Sequence, residues 1–259
     1  MNSTLTDPMH GKIYFASDFH FGIPDYTSSL EREKKLIRWL DEVRKDAAEI
    51  YLMGDLFDFW FEYKTVIPKG FTRFLGKLAE ITDTGIPVHL FRGNHDIWAF
   101  NYLNKEIGLI LHRDPEFREW NGKRFYLAHG DGLGDGDNGY KFLKKVFEFP
   151  LNQWLFRWLH PDIGSAMGLY FSRRSKNAHF AREMKDADTV NIPTKRLYQY
   201  SLQMLESDPR INYFIFGHHH LPSHLKIGEN VQFFLIGDWI TNFSYVVFDG
   251  NEAQLKCYP

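Results

Sequence analysis

A chain of 259 residues is long enough to bury a substantial core as one domain, with room for an insertion. Its 44% hydrophobic and 25% charged residues are those of a soluble globular protein; the start, MNSTLTDPMHGK, lacks a signal pattern and no run of 18 apolar residues appears, so a cytoplasmic chain is expected. A net charge of −2 gives no reason to expect nucleic acid as a partner, and the single cysteine, Cys257, excludes a disulfide framework and any cysteine-based metal site.

In chain order, Lys12 to Ala16 reads as a strand that runs straight into Ser17-Asp18-Phe19-His20. Leu30 to Lys45 has apolar residues at Leu36, Ile37, Leu40 and Val43 with charges between, the spacing of an amphipathic helix. Ile50 to Asp58, IYLMGDLFD, is the stretch around which the rest is arranged: a short apolar strand, a break at Gly54, then carboxylates at Asp55 and Asp58. Phe71 to Ile81 predicts a second amphipathic helix, and Val88 to Phe91 a strand ending in Arg92-Gly93-Asn94-His95-Asp96. Lys123 to Ala128 is a strand that ends in His129-Gly130-Asp131. Lys195 to Leu205 reads as helix, Tyr213 to Phe216 as a strand into Gly217-His218-His219-His220, and Val231 to Ile236 as a strand into Gly237-Asp238-Trp239. Tyr245 to Phe248 is expected to close the sheet. Strand, polar turn, helix, strand is the rhythm of a layered α/β protein, and open α/β sheets build their sites at the carboxyl ends of strands.

Residues 140–191 break that rhythm. They carry large apolar side chains, among them Phe142, Phe147, Trp154, Trp158, Met167, Tyr170 and Phe171. Between 140 and 200 there are 11 Lys and Arg against 5 Asp and Glu, whereas the remainder holds 20 against 28. The expected organisation is therefore a core of 1–139 and 192–259 with a helical cap, 140–191, over the mouth of the sheet.

Five strand ends thus deliver Asp18 and His20, Asp55 and Asp58, Asn94 and His95, His129, then His218 and His220. Imidazole and carboxylate without thiolate suit Mn²⁺, Zn²⁺ or Fe²⁺. Some seven donors exceed what one ion takes and match two ions sharing a carboxylate, an arrangement that clamps both attacking and leaving oxygens of a phosphoryl group. Asp-x-His and His-x-His make sense on extended chain, where residues i and i+2 point the same way, which sends His219 elsewhere. The isolated His89, His112, His160, His179 and His224 are expected to be structural or surface residues. Each block alone has a bland reading as a turn; five in order, each after a strand, do not.

These blocks, D-x-H (Asp18, His20), G-D-x-x-D (Gly54, Asp55, Asp58), G-N-H-D (Gly93 to Asp96), H-G-D (His129 to Asp131) and G-H-x-H (Gly217, His218, His220), resemble those of the calcineurin-like metallophosphoesterases over residues 13 to about 239. The resemblance implies a four-layer αββα sandwich with a two-metal site, Mn²⁺ being the first choice. By the family's pattern Asp18, His20 and His220 would hold one ion, Asn94, His129 and His218 the other, and Asp55 would bridge them. His95 would be the catalytic group that stabilises developing charge or protonates the leaving oxygen, with Asp58 orienting it. Within that superfamily the chain is similar to the pyrophosphatases that hydrolyse UDP-2,3-diacylglucosamine in lipid A synthesis: Gly54 to Trp60 puts aromatic bulk after the shared aspartate, Asp135, Asp137 and Tyr140 follow the H-G-D block, and Leu235 to Trp239 matches the terminal strand. One departure is His95, where many members of that narrower family carry Arg.

That likeness implies hydrolysis inside a pyrophosphate to UMP and an acylated sugar 1-phosphate, with Asp137, Arg173, Arg174, Ser175, Lys176 and Arg182 as substrate-binding residues and the cap holding acyl chains at the inner face of a membrane. A phosphoesterase acting on nucleotides or other soluble phosphoesters is the alternative. A non-catalytic scaffold is disfavoured because no expected ligand is missing.

Overall fold

Alternation along the strands dictates the layers. In Lys12–Ala16, Ile13 and Phe15 point to one side and Tyr14 and Ala16 to the other, and all four are buried, so this strand needs cover on both faces. The structure, a computed structural model, describes residues 10–185 and 192–259, and along 175–185 and 192–195 it describes the backbone only.

The first half comprises β1 (Lys12–Ala16), α1 (Tyr26–Val43), β2 (Ala47–Leu52), α2 (Thr72–Asp83), β3 (Val88–Phe91), α3 (Tyr102–Lys105), β4 (Ile110–His112), β5 (Glu116–Trp120) and β6 (Lys123–Ala128). Four helices follow: α4 (Asn138–Glu148), α5 (Pro150–Arg157), α6 (Pro161–Lys185) and α7 (Ile192–Ser207). The chain then runs through β7 (Ile211–Phe216), β8 (Ser223–Ile227), β9 (Val231–Leu235), β10 (Ser244–Phe248) and β11 (Ala253–Cys257).

The strands form two sheets, in the orders β11-β10-β1-β2-β3-β4 and β5-β6-β7-β9-β8. Each has a parallel centre, β1-β2-β3 in one and β6-β7-β9 in the other. Ile13, Phe15, Tyr51, Phe125, Leu127, Tyr213 and Ile215 fill the space between the sheets. Tyr14, Ala16, Leu52 and Leu90 face outward against α1 and α2. On the far side Tyr126, Phe214 and Phe216 pack under Leu197 of α7. The result is the four-layer αββα sandwich that the five blocks implied.

Four edge or near-edge strands were not expected. β5, β8 and β11 are half exposed and carry few apolar residues, so neither an apolar run nor clean alternation marks them, and β4 is only three residues long; each exists because a neighbour offers it a ladder. For the same reason β10 does not close its sheet as expected, since β11 pairs along its outer side. Helix α1 starts four residues before the apolar pattern because Asp25 caps it, its carboxylate accepting from the Ser28 amide at 2.9 Å. Helix α2 has no local cap; Glu33 of α1 instead accepts from the Phe74 amide at 2.9 Å.

Between β6 and α7 the helices α4 and α5 bury none of their residues fully. They are held to the sandwich by an aromatic cluster of Phe61, Trp98, Phe147 and Phe156, with Trp98 Nε1 donating to the Phe147 carbonyl at 2.9 Å. Among the described residues no helix is long and apolar enough to cross a membrane.

Candidate metal centre

Every parallel strand of the two sheet centres points its carboxyl end at one place. β1 leads to Asp18 and His20, β2 to Asp55 and Asp58, β3 to Asn94 and His95, β6 to His129, β7 to His218 and His220, and β9 to Asp238. Three donor groups meet there: Asp18, His20 and His220; His20, Asp55 and His95; Asp55, His129 and His218. His219 belongs to none of them.

The spacing of donor atoms is characteristic. His20 Nε2 lies 3.7 Å from both Asp18 Oδ1 and Asp55 Oδ2, and His220 Nε2 lies 3.8 Å from Asp18 Oδ1. His129 Nε2 lies 3.4 Å from both Asp55 Oδ2 and Asn94 Oδ1. These gaps are mostly too wide for hydrogen bonds and suit donors that share an ion at roughly 2.0–2.2 Å each. Asp55 Oδ2 thus stands between imidazoles of two groups. Asp18 Oδ1 is buried and has no hydrogen-bond partner among the described residues, an expense that a cation would remove.

Behind the donors, the outer atoms are tied down. His129 Nδ1 donates to the Met53 carbonyl at 2.7 Å, and His220 Nδ1 faces Asp238 Oδ2 at 3.3 Å. The His95 amide donates to Asp55 Oδ1 at 2.9 Å and the His218 amide to Asp18 Oδ2 at 2.9 Å. Such backing fixes ring orientation and leaves each Nε2 for an ion. Asp238 in turn accepts from the amides of Thr241 and Asn242, both at 2.9 Å. Burial would raise its pKa, but His220 and these amides outweigh that and hold it at about 2.

The charges tell the same story. Burial pushes the Asp18 carboxyl up, whereas at Asp55 the imidazoles of His129, His95 and His20 overcome burial and hold it well below the usual range. Burial alone would lower His129, yet Asp55 and Asp18 raise it to about 10. The centre is a buried carboxylate cluster that takes up positive charge, and its oxygen and imidazole donors fit divalent cations.

The backbone departs from the expected extended turns. Asp18, His20, Asp55 and His218 all have positive φ, at 57°, 44°, 54° and 65°. Asp-x-His and G-H-x-H therefore deliver their donors by left-handed turns rather than by the two-residue period of a strand. Strain of this kind persists where surrounding structure enforces it, and it concentrates at functional sites. Arg32 of α1 helps: its buried guanidinium donates to the carbonyls of Phe19 at 3.0 Å and His20 at 2.9 Å. Gly93 permits the rest, because a Cβ there would collide with the Asp55 carboxylate. Asp96 staples the same turn, accepting from the amides of Leu56 at 2.8 Å and Gly93 at 2.6 Å, and burial followed by the Asp55 charge pushes its pKa up to about 7.

His95 lies at the rim of this cluster. Its Nδ1 is 2.8 Å from the Asp58 carbonyl, and 3.9 Å from the Asp58 carboxylate. The Asp58 main chain, rather than its carboxylate, is thus the nearer partner of the His95 ring; the carboxylate is set back and accepts from the Ser172 hydroxyl at 2.8 Å. Asp137 accepts from Arg196 Nη1 at 3.2 Å, and Arg173 and Arg174 project to solvent from α6. Ser175, Lys176 and Arg182 lie outside the residues whose side chains are described. Arg32 and Asp238 do not stand out as site residues in the sequence: Arg32 reads as one charge on an amphipathic helix, and Asp238 as the end of one more strand, while Ser172, which opens the basic SRRSK stretch expected at the phosphate, meets Asp58 and His95 instead. The Gly-Asp after β9 was the available signal for Asp238.

A two-sheet sandwich whose strand ends converge buried imidazoles and carboxylates without thiolates is the frame of a metal-dependent hydrolase. The calcineurin-like phosphoesterase family model matches residues 11–222, and the chain belongs to that family. It is similar to the UDP-2,3-diacylglucosamine hydrolase of Porphyromonas gingivalis, 38% identical over 256 residues, covering 96% of this chain and 98% of that protein. The protein of the same name from Aeromonas hydrophila is 26% identical over 249 residues, covering 93% and 96%. Among solved structures, a dimetal phosphatase from Danio rerio aligns over 98% of this chain and 100% of that one, with 13% identity and a TM-score of 0.44.

Proposed function

We propose that the protein is a two-metal pyrophosphatase that hydrolyses UDP-2,3-diacylglucosamine to UMP and 2,3-diacylglucosamine 1-phosphate. The observation that carries the chemistry is Asp55 Oδ2, set between His20 Nε2 and His129 Nε2 at 3.7 and 3.4 Å. The substrate rests on the relatives, which match this chain nearly end to end.

In this reading Asp18, His20 and His220 would hold one ion, Asn94, His129 and His218 the other, and Asp55 would serve both; Mn²⁺ would be the ion of choice. When bound, the pair supplies Lewis-acid activation of water and of the phosphoryl oxygens. The chain's own residues do the remainder. Asp238, the Met53 carbonyl and the amides of His95 and His218 hold the donors in register, so little reorganisation is needed during reaction. With Nδ1 on the Asp58 carbonyl, His95 has its Nε2 for the phosphate, where it stabilises developing charge or gives a proton to the departing oxygen. A P–O bond to water forms, the P–O bond of the pyrophosphate bridge breaks, and the sugar 1-phosphate leaves.

The helices α4 to α6 supply the apolar partner. Phe142, Trp154, Ile163, Tyr170 and Phe171 are exposed on them and Trp158 just after α5, an unusual density of large apolar side chains facing water. Acyl chains gain about 0.8 kcal/mol per methylene buried against such surface. Arg173 and Arg174 beside it suit phosphates, whether of the substrate or of an anionic membrane face, so peripheral association is part of the proposal. His95 in place of Arg is the observation that keeps a soluble phosphoester substrate as a second reading.

The test is release of UMP from UDP-2,3-diacylglucosamine in detergent with Mn²⁺, run beside an aryl phosphodiester. Rapid UMP release is expected, with slower but measurable action on the aryl ester. Hydrolysis of the aryl ester alone would overturn the lipid substrate and leave the metal chemistry standing.

A further inference from the structure

Helix α6 presents Gly164, Gly168 and Ser172 along one face, at successive i+4 positions. A Cβ at Gly164 would collide with the Tyr63 hydroxyl, and one at Gly168 with the Phe59 ring, so both glycines lie flush on the segment that directly follows Asp58. The third position is polar where the first two are bare. Ser172 is buried although its neighbours Phe171, Arg173 and Arg174 are exposed. Its hydroxyl lies 2.8 Å from Asp58 Oδ2 and 3.2 Å from His95 Nδ1.

The donors and acceptors can be assigned. The Ser172 O–H donates to Asp58 Oδ2, a carboxylate oxygen that accepts. The lone pairs of Ser172 Oγ then face His95 Nδ1, whose hydrogen is shared with the Asp58 carbonyl at 2.8 Å. Two acceptors on one ring nitrogen keep the hydrogen on Nδ1, fix the ring plane and direct Nε2 to the reaction centre. The Asp58 carboxylate, 3.9 Å from Nδ1, acts on His95 through this hydroxyl.

We propose that Ser172 is a positioning residue for His95, and that Gly164 and Gly168 set its reach, so that turnover depends on α6 being packed against the sandwich. The inference rests on His95 acting in the reaction, as in the function proposed above. Its physical content is a coupling: the helix that carries the exposed apolar and basic residues also completes the setting of the catalytic histidine, so the polypeptide is fully competent only when that helix is seated.

The experiment compares wild-type protein, Ser172→Ala, Ser172→Thr, Gly168→Leu and the Gly168→Leu/Ser172→Ala double variant, each loaded with Mn²⁺, on an aryl phosphodiester and on UDP-2,3-diacylglucosamine. Ser172→Ala is expected to lower kcat about tenfold on both substrates, less than the 10²–10⁴ range of outright loss of an acid–base group, with KM for the aryl ester, metal content and Tm close to wild type. Ser172→Thr, which restores a hydroxyl, recovers most of the rate. Gly168→Leu lowers kcat similarly, and adding Ser172→Ala to it costs little more. Unchanged kcat in Ser172→Ala, a loss matched by lost metal or lost Tm, no rescue by Thr, or additive losses in the double variant would each overturn the proposal. The aryl ester needs no acyl site, so wild-type protein that cleaves it and spares the lipid would refute the substrate while Ser172 is still judged.

Discussion

Asp55 and His95 are one turn of chemistry apart in role, and substitution separates them. Asp55 belongs to two donor groups and its Oδ1 also takes the His95 amide, so Asp55→Ala is expected to abolish stoichiometric Mn²⁺ binding and hydrolysis together, read by metal analysis and by activity on an aryl phosphodiester. His95→Ala removes a side chain that the proposed ligand set does not require; metal content should persist while kcat falls by roughly 10²–10⁴. Equal loss of metal and turnover in His95→Ala would make it a ligand instead. Asp238→Asn should weaken Mn²⁺ affinity by about 10–100-fold, because Asp238 only backs His220. The donors were legible because histidine and aspartate recur after apolar strands. Their backing was not: a serine at the twelfth position of a helix, or a main-chain carbonyl such as that of Met53, carries no mark in the sequence.

At the scale of elements, the buried strands and amphipathic helices were legible, since burial on one or both faces forces a period onto the chain. Edge strands β5, β8 and β11 escaped because partial exposure relaxes that demand. The start of α1 was set by one carboxylate, and that of α2 by a carboxylate from a different helix, which no local reading reveals. The ligand turns are the sharpest case. Their residues were evident, yet the two-residue period proposed for them was wrong, because left-handed backbone at Asp18, His20 and His218 sets the direction of the donors. Gly93→Ala tests the consequence: with a methyl group driven against the Asp55 carboxylate, Mn²⁺ affinity and activity should both fall steeply while the circular dichroism of the sandwich stays native.

For the whole molecule, the decisive quantity is the unbalanced charge buried between the sheets' carboxyl ends. His129, ordinarily near 6.5 and here raised to about 10, stabilises the metal-free fold fully below the lower value, and that contribution is lost as pH rises through the upper one. Chelator-treated protein should therefore lose Tm between pH 7 and 10, and Mn²⁺-loaded protein, in which the proton has been displaced, should not show that loss. By the same linkage Mn²⁺ affinity should rise with pH below about 10, by up to about tenfold per unit for one displaced proton, measurable by titration calorimetry in two buffers. A flat affinity profile would mean that His129 is not displaced from its proton by the ion.

By itself the sequence determined the layered class, the order of the strands that end in histidine and carboxylate donors, and the donor chemistry, because period and residue type are local properties that hydrophobic burial and metal preference act on directly. Only the tertiary structure decided which donors share Asp55, which left-handed turns aim them, and that a hydroxyl on α6 reaches the pair of Asp58 and His95. Those are matters of a few tenths of an ångström between residues up to two hundred apart in the chain, and they are fixed by packing between layers rather than by any neighbour in sequence.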